Sequence, residues 1–306
     1  MMSSYNGEAF IAQQIDSILN QTHQDIDIVV RDDGSSDSTL AILAKYEREN
    51  DNFSVLAEEN RGCTGSFWEL LQYARQKKGG YAYFAFCDQD DVWLEDKIAV
   101  AIDCLAKADS SLPCLYCSNL ILTDARLNRT GTMRTDMPEV GNKAKALVES
   151  FATGCTFVFN GRLLELATSY AAQALPLHDL WIFHTCMFLG HIHYDPTSHI
   201  LYRQHGNNEI GAKSTFPQRL RSKMKSVKTL RRQHFREIEA RELLKAYGHL
   251  LSKEDCALID VVATYRNRPL YRLGWFFNLL PVARNIKMTR FIDNFFLKLR
   301  ILIGKV

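Results

Sequence analysis

The chain lacks any run of the roughly 18 consecutive apolar residues that a membrane-spanning helix requires, which sets aside helical integral membrane proteins. Its opening, Met1-Met2-Ser3-Ser4-Tyr5, has no basic stretch followed by an apolar one, so a secretory signal is not expected. Internal repeats and low-complexity segments are missing too, and with them solenoids and biased linkers. Cys114-Leu115-Tyr116-Cys117 has the spacing of half a zinc site, but no second Cys or His pair accompanies it, and a structural zinc wants four ligands. The eight cysteines are scattered, and Cys87, Cys155 and Cys186 fall in apolar runs. That usage suits reduced core thiols in the cytoplasm better than a disulfide framework. With 46% apolar and 24% charged residues over 306 positions, the chain can bury a sizeable core as one domain with an appendage or as two domains.

Acidic residues, by contrast, are concentrated. Asp88-Gln89-Asp90-Asp91-Val92-Trp93 follows the apolar run at 81–87 and puts three carboxylates in four positions at the mouth of a buried strand. Such groups repel one another and are costly to desolvate. A hard divalent cation, Mg²⁺ or Mn²⁺, relieves that cost and can in turn hold a diphosphate. The plainer alternative is a solvated acidic turn opening a helix at Leu94. A second tract, Asp32-Asp33-Gly34-Ser35-Ser36-Asp37, ends the strand-like residues 25–31 and precedes a helical pattern with Leu40, Ile42, Leu43 and Tyr46 on one face. Ser36 or Asp37 can cap that helix, but capping needs one such residue and the tract holds three carboxylates. Two strand ends that deliver carboxylates into loops fit the rule that open α/β sheets bind ligands beyond the carboxyl ends of their strands.

Helix and strand patterns alternate from residue 8. The spacing predicts helices over 8–20, 37–49, 64–77 and 94–107, and strands over 26–31, 53–57, 81–87 and 114–121. A polar loop is expected over 123–145, then a helix near 144–150, a strand over 153–159, a helix over 161–172 and another from Trp181 to Leu189. This alternation implies a mostly parallel, doubly wound α/β sheet. Trp93 and Trp181 are candidates for stacking on a sugar, with core packing the equal alternative.

Seven short motifs, in order, resemble glycosyltransferase family 2. They are Tyr5-Asn6-Gly7-Glu8, Ser17-Ile18-Leu19-Asn20-Gln21-Thr22, the Asp32–Asp37 loop, Asn60-Arg61-Gly62, Asp88-Gln89-Asp90-Asp91-Val92-Trp93, His178-Asp179-Leu180-Trp181 and Tyr202-Arg203-Gln204-His205-Gly206-Asn207-Asn208. The last three narrow the resemblance to the rhamnosyltransferase-like branch that builds bacterial cell-surface polysaccharides. It covers roughly residues 3 to 211 and implies the GT-A fold over 1–211, followed by a basic helical region over 212–306. It also implies an inverting, metal-dependent sugar transfer from a nucleotide diphosphate, dTDP-rhamnose or a UDP-hexose or UDP-hexosamine, to a lipid-linked glycan. By that resemblance Asp88 takes the ribose side of the metal site. Asp90 is the principal ligand of Mn²⁺ or Mg²⁺, Asp91 supports it, and His205 supplies a late ligand or contacts the diphosphate. Asp32 or Asp33 binds the pyrimidine, with Ser4 and Tyr5 nearby, and Arg61 counters a phosphate. Asp179 becomes the general base that takes the acceptor's proton, with a helix N-cap as its plainer role. In the family a full buried strand precedes the Tyr-Asn-Gly turn, whereas Met1 and Met2 are all that stands there in this sequence. A non-catalytic scaffold that has lost its donor site is therefore the contrasting hypothesis, although every acidic position needed for chemistry is present. A sugar-nucleotide pyrophosphorylase would want a glycine-rich, basic loop after the first strand, and Ser3–Glu8 is not one.

Charge divides the chain. Residues 1–211 hold 16 Lys and Arg against 28 Asp and Glu, whereas residues 212–306 hold 21 against 7. Residues 216–249 read as one or two helices broken near Gly248. Ser252-Lys253-Glu254-Asp255 has capping-box character, and Phe291, Phe295, Leu299 and Leu302 form one stripe among Arg290, Lys298 and Arg300. Aromatics beside basic residues at helical spacing suit an anionic membrane surface, which makes a peripheral protein on the inner face of the plasma membrane the expectation. Packing within the molecule or in a homodimer is the alternative, and no nucleic-acid partner is expected.

Overall fold

The computed structural model describes residues 1–171, 177–205 and 235–304. The expected Gly206-Asn207-Asn208 turn and the helical pattern over 216–234 lie outside them. Two compact units emerge: the first comprises Met1–Val140, Ala152–Ser169 and Gly190–Ala212. The second gathers Gly141–Phe151, Tyr170–Leu189 and Lys213–Val306.

The first unit opens with β1 (Met2–Ser4), α1 (Ile11–Leu19), β2 (Ile28–Asp32), α2 (Thr39–Glu49), β3 (Phe53–Ala57) and α3 (Gly62–Lys77). The strands pair in the order β1-β2-β3, both ladders parallel, with Met2 opposite Val30 and Ser4 opposite Asp32. Three residues suffice for β1, because it is held on both sides. Met2 also bridges to Cys87 in parallel, and the Cys87 N–H donates to the Met1 carbonyl at 2.9 Å. Ile11, Ile15 and Ile18, spaced for one helical face, bury against this sheet together with Met2, Val30 and Phe53.

A second sheet follows from β4 (Tyr83–Ala85), β5 (Val92–Trp93), β6 (Cys114–Thr123), β7 (Arg129–Thr132), β8 (Val158–Asn160) and β9 (His191–Arg203), with α4 (Lys97–Leu105) and α6 (Gly161–Thr168) between strands. Its order is β4-β8-β6-β9-β5, with β7 on β6. The β6–β9 pair is parallel and the others antiparallel. Parallel pairing thus prevails in the N-terminal sheet, and antiparallel returns build most of the second. Phe67, Phe86, Phe157 and Phe159 weld α3 to this sheet, with ring centroids 5.2 to 6.3 Å apart.

Alternation and helical period place most elements within a few residues of their expected bounds. Trp93, expected next to a helix start, lies in β5, and residues 123–145 carry β7 within the expected loop. The 13-residue β9 has no counterpart in the sequence reading. Its register against β6 jumps from Ser118–Asp195 to Asn119–Ser198, so Pro196 and Thr197 bulge out of the ladder. A proline cannot donate to a ladder, and the Asp195-Pro196-Thr197-Ser198 run therefore reads as a turn although it sits inside a strand.

The second unit contains α5 (Lys143–Ala146), α7 (His178–Leu189), α8 (Phe235–Tyr247), α9 (Lys253–Thr264), α10 (Pro269–Phe276) and α11 (Phe291–Leu302). Trp181 is its buried centre, with its ring 5.5 Å from that of Tyr247 and 6.4 Å from that of Tyr170. Trp93 is buried in the first unit, so both tryptophans serve packing. His184 places Nδ1 2.7 Å from Glu239 and Nε2 2.9 Å from the Ala146 carbonyl, which ties α7 to α8 and α5. The Ser252 hydroxyl accepts the Asp255 N–H at 3.0 Å and caps α9 as its motif implied. Among the described residues no helix is long and apolar enough to cross a membrane.

Candidate active site

Three loops meet beyond the carboxyl ends of β1, β2 and β4. The β2 loop is anchored first. Asp32 is fully buried, and its Oδ2 accepts the Ser4 hydroxyl at 2.8 Å and the Ser35 hydroxyl at 2.6 Å. Its Oδ1 accepts the Ser35 N–H at 2.8 Å. Asp33 forms a buried ion pair with Arg31 and also accepts the Arg61 N–H at 2.8 Å. Gly34, at φ +80°, supplies the left-handed turn that follows them. Asn60 completes the loop by donating to the Asp33 carbonyl at 2.8 Å. The Asn60-Arg61-Gly62 motif thus holds Asp33 in place through a side chain and a backbone N–H. The Arg61 guanidinium itself lies at the surface, 2.9 Å from Glu69.

The β1 loop is clasped to the acidic tract by Gln89, whose Oε1 accepts the Tyr5 N–H at 2.9 Å and whose Nε2 donates to the Tyr5 carbonyl at 3.1 Å. A Cβ on Gly7 would stand 2.3 Å from that same Oε1, so the motif's glycine makes room for the clasp. Asp37 and Glu8 exchange bonds with opposite loops: Asp37 accepts the Glu8 N–H at 3.2 Å, and Glu8 accepts the Ser38 N–H at 2.8 Å. The Tyr5 ring stays about half exposed at the rim.

In the acidic tract itself, Asp88, Asp91 and the Cys155 thiol each bring a ligand atom within 4.8 Å of the others. Asp91 is fully buried; its Oδ1 accepts the Arg203 N–H at 3.0 Å, and its Oδ2 has no partner at ordinary hydrogen-bond distance. Burial, reinforced by the charges of Asp88 and Asp90, pushes the Asp91 carboxyl well above the usual range. Burial likewise raises the Cys155 thiol, with the charges of Asp91 and Asp88 adding to the effect, so it stays protonated and is a poor ligand. Asp90 points elsewhere, with its Oδ2 2.8 Å from His205 Nε2. The geometry therefore brings Asp88 and Asp91 together and sets Asp90 with His205. A buried Asp91 oxygen without a hydrogen-bond partner at ordinary distance, beside the Asp88 carboxylate, is an oxygen donor set that fits Mn²⁺ or Mg²⁺.

Arg203 and Gln89 were not singled out from the sequence, yet both organise the site. Arg203 is buried, donates from Nε to the Asp90 carbonyl at 2.7 Å, from Nη1 to the Ala125 carbonyl at 2.7 Å and from Nη2 to Gln13 Oε1 at 2.6 Å, and lies 4.5 Å over the Phe10 ring. Each sits inside a motif, so the signal was present, but its partners are distant in sequence. Ser17 and Gln21 explain a further motif: Ser17 Oγ accepts the Trp93 N–H at 3.0 Å, and Gln21 donates to the Leu94 carbonyl at 2.7 Å and accepts the Ile98 N–H at 3.0 Å. These bonds fix the segment that follows the tract.

Asp179 belongs to the second unit and stands in the first turn of α7, where its Oδ1 accepts the Leu180 N–H at 2.8 Å. That contact reaches only the next residue and is not the N2 or N3 bond of an N-cap. Burial pulls the neighbouring His178 down to about 4, against the opposing charge of Asp179, so this imidazole is neutral at pH 7.

The fold and its acidic loops agree with comparisons to known proteins, which make this a nucleotide-sugar glycosyltransferase with the GT-A fold. Residues 1–166 match the profile of Glycosyl transferase family 2, and the chain belongs to that family. It is 32% identical over 250 residues, 77% of its length and 81% of the relative's, to "dTDP-rhamnosyl transferase RfbG" of Shigella flexneri. Among solved structures it resembles S. aureus TarS 1-349 in complex with UDP-GlcNAc, at TM-score 0.51 and 16% identity, covering 99% of this chain and 91% of that one. It also resembles GalNAc-T7 with UDP, GalNAc and Mn²⁺, at TM-score 0.54 and 14% identity, covering 89% of this chain and 56% of that one.

Proposed function

We propose that this enzyme transfers L-rhamnose from dTDP-rhamnose to a hydroxyl of a lipid-linked glycan at the cytoplasmic face of the plasma membrane, with inversion and with a divalent cation. The observation that carries the metal-dependent reading is the buried, orphaned Asp91 oxygen beside Asp88, with Asp90 and His205 facing each other at 2.8 Å. The choice of rhamnose rests on the 32% identity to a dTDP-rhamnosyl transferase.

Asp88, Asp90, Asp91 and His205 would hold Mn²⁺ or Mg²⁺, whose charge would neutralise the diphosphate as it leaves. Arg31 already answers the charge of Asp33, whereas the partners of Asp32 are neutral, so Asp32 is the better acceptor for a pyrimidine imide N–H. Tyr5 offers an exposed ring to cover the base, and Ser4 orients Asp32. The side chain of Arg61, held by Glu69, would have to release it to reach a phosphate. Asp179 acts as general base: it takes the acceptor hydroxyl proton while that oxygen bonds to the anomeric carbon and the bond to the diphosphate breaks on the opposite face. The basic C-terminal helices bring the enzyme to its lipid-borne acceptor.

Calorimetric titration with dTDP, UDP and GDP, with and without Mn²⁺, tests this reading on the wild type and on Asp90→Ala. Metal-dependent binding that favours dTDP and disappears in Asp90→Ala is expected. A preference for UDP would move the donor to a hexose or hexosamine, and metal-independent binding would remove the cation from the mechanism.

A further inference from the structure

The second unit ends in two helices with apolar residues on both sides. The inner side is fully used. Trp275 of α10 is buried, and its indole N–H donates to the Ile286 carbonyl at 3.2 Å. Leu297 and Ile301 of α11 are buried too. The Lys298 ammonium donates to the Trp275 and Phe276 carbonyls, both at 2.8 Å, and so caps α10 from α11. Leu280 packs where Gly274 has no side chain: a Cβ there would meet it at 2.6 Å.

Among the described residues the outer side has no such use. Leu270, Leu273 and Phe277, spaced three and four apart, line one face of α10 and its end, with Leu270 82% and Phe277 60% exposed. Phe291, Phe295, Leu299 and Leu302 line the outer face of α11, with Phe291 87% exposed. Leu279, 72% exposed, lies in the connection. Burying the inner face does not require these residues to be apolar, and water penalises their exposure. The surrounding charge is predominantly basic: residues 265–304 contain eight Lys and Arg and a single acid, Asp293, and from elsewhere in the unit Asp260 pairs with Arg268 and Glu149 accepts from Thr289. Arg266, Arg268, Arg284, Lys287 and Arg290 are exposed.

We propose that these two outer stripes form the surface by which the protein inserts into an anionic lipid bilayer: Leu270, Phe277, Leu279, Phe291 and Phe295 enter the headgroup–acyl boundary, while Arg284, Lys287 and Arg290 bind the lipid phosphates. The choice of occupant follows from charge. A second copy of this face would bring two basic surfaces together, whereas an anionic bilayer complements the cations and takes up the aromatics at once. The inference gives residues to the membrane attachment that the lipid-linked acceptor reading calls for, and it rests on that reading. Helices this short and this charged lie in the interface and do not span it.

Flotation of the full-length protein with phosphatidylcholine vesicles, with and without phosphatidylglycerol, tests the proposal. The wild type should float with the anionic vesicles, less so as salt rises, and stay behind with phosphatidylcholine alone. Leu270→Ser, Phe277→Ser and Phe291→Ser combined should abolish flotation. Arg284→Ala, Lys287→Ala and Arg290→Ala combined should weaken it about a hundredfold, from roughly fivefold for each basic residue near the surface. A wild type that stays off anionic vesicles, or a serine variant that floats as well as it, overturns the proposal. A wild-type dimer that the serine substitutions convert to a monomer would do so too, by making this face a contact between copies. Nucleotide binding measured on the same preparations separates the two readings. Lost flotation with intact metal-dependent binding strikes the surface alone, and flotation without nucleotide binding strikes the enzymatic reading alone.

Discussion

Lys97 is fully buried, with its Nζ 3.6 Å above the Trp93 ring and without a hydrogen-bond acceptor. Burial lowers it from 10.5 to about 8, and the nearby Cys87, Cys155 and Asp91 offset only part of that. The unfolded chain therefore binds this proton more tightly than the folded one. The buried ammonium costs stability below pH 8, and the cost fades as pH climbs from about 8 towards 10.5. Lys97→Met should be the more stable protein at pH 7, and its advantage over the wild type should shrink by about 3 kcal/mol between pH 7 and 10.5, less whatever the ring contact contributes. Urea midpoints of both proteins across that range check this; a gap that ignores pH sinks it. At the same scale, the carboxylates Asp32, Asp33, Asp88, Asp90 and Asp91 were legible because clustered charge is costly and calls for an explanation. Gln89 and Arg203 were not, because a carboxamide between acids looks like a spacer and nothing local marks an arginine as buried.

Among elements, α1, α2 and β3 announce themselves through period and composition, and the short β1 was legible only as a shortage. Its partners in β2 and Cys87 are 28 or more residues away in sequence, so local pattern could not show that three residues suffice. The strand β9 was hidden by its own bulge at Pro196, and it carries Arg203 to the acidic tract. Its first turn depends on Gly190. A Cβ there would stand 2.1 Å from the Pro113 carbonyl oxygen, which also accepts the His191 N–H at 2.9 Å and is rigid backbone. Gly190→Ala should therefore destabilise the first unit by more than about 1 kcal/mol, because the strand start must shift to admit a methyl group. A lowered denaturation midpoint, with weakened metal-dependent nucleotide binding, is the expected pair of results. An unchanged midpoint would mean that the close approach is not a constraint.

At the scale of the molecule, the division between an acidic body and a basic tail was visible in the sequence as 28 acids against 16 bases before residue 212, and 7 against 21 after it. The membership of the two compact units was not, since Gly141–Phe151 and Tyr170–Leu189 join the C-terminal helices through contacts such as that of His184 with Glu239. Ser4, Asp32, Asp33, Asp88, Asp90, Asp91 and His205 all belong to the first unit, and Asp179 belongs to the second. Because the proposed base acts on the acceptor hydroxyl and not on the donor, donor binding and sugar transfer should separate by mutation. Asp179→Asn keeps the size and the Leu180 contact of the side chain but removes the basic oxygen, so nucleotide affinity and its metal dependence should stay at the wild-type level. Transfer should fall by about 10² to 10⁴, the usual contribution of a positioned general base. Because a base is needed in deprotonated form, the residual activity should also lose the acid limb of the wild-type pH profile. Parallel measurement of nucleotide affinity and of transfer rate across pH decides the matter. A variant that transfers near the wild-type rate removes Asp179 from the chemistry, and one that loses nucleotide affinity as well makes it a residue of the donor site.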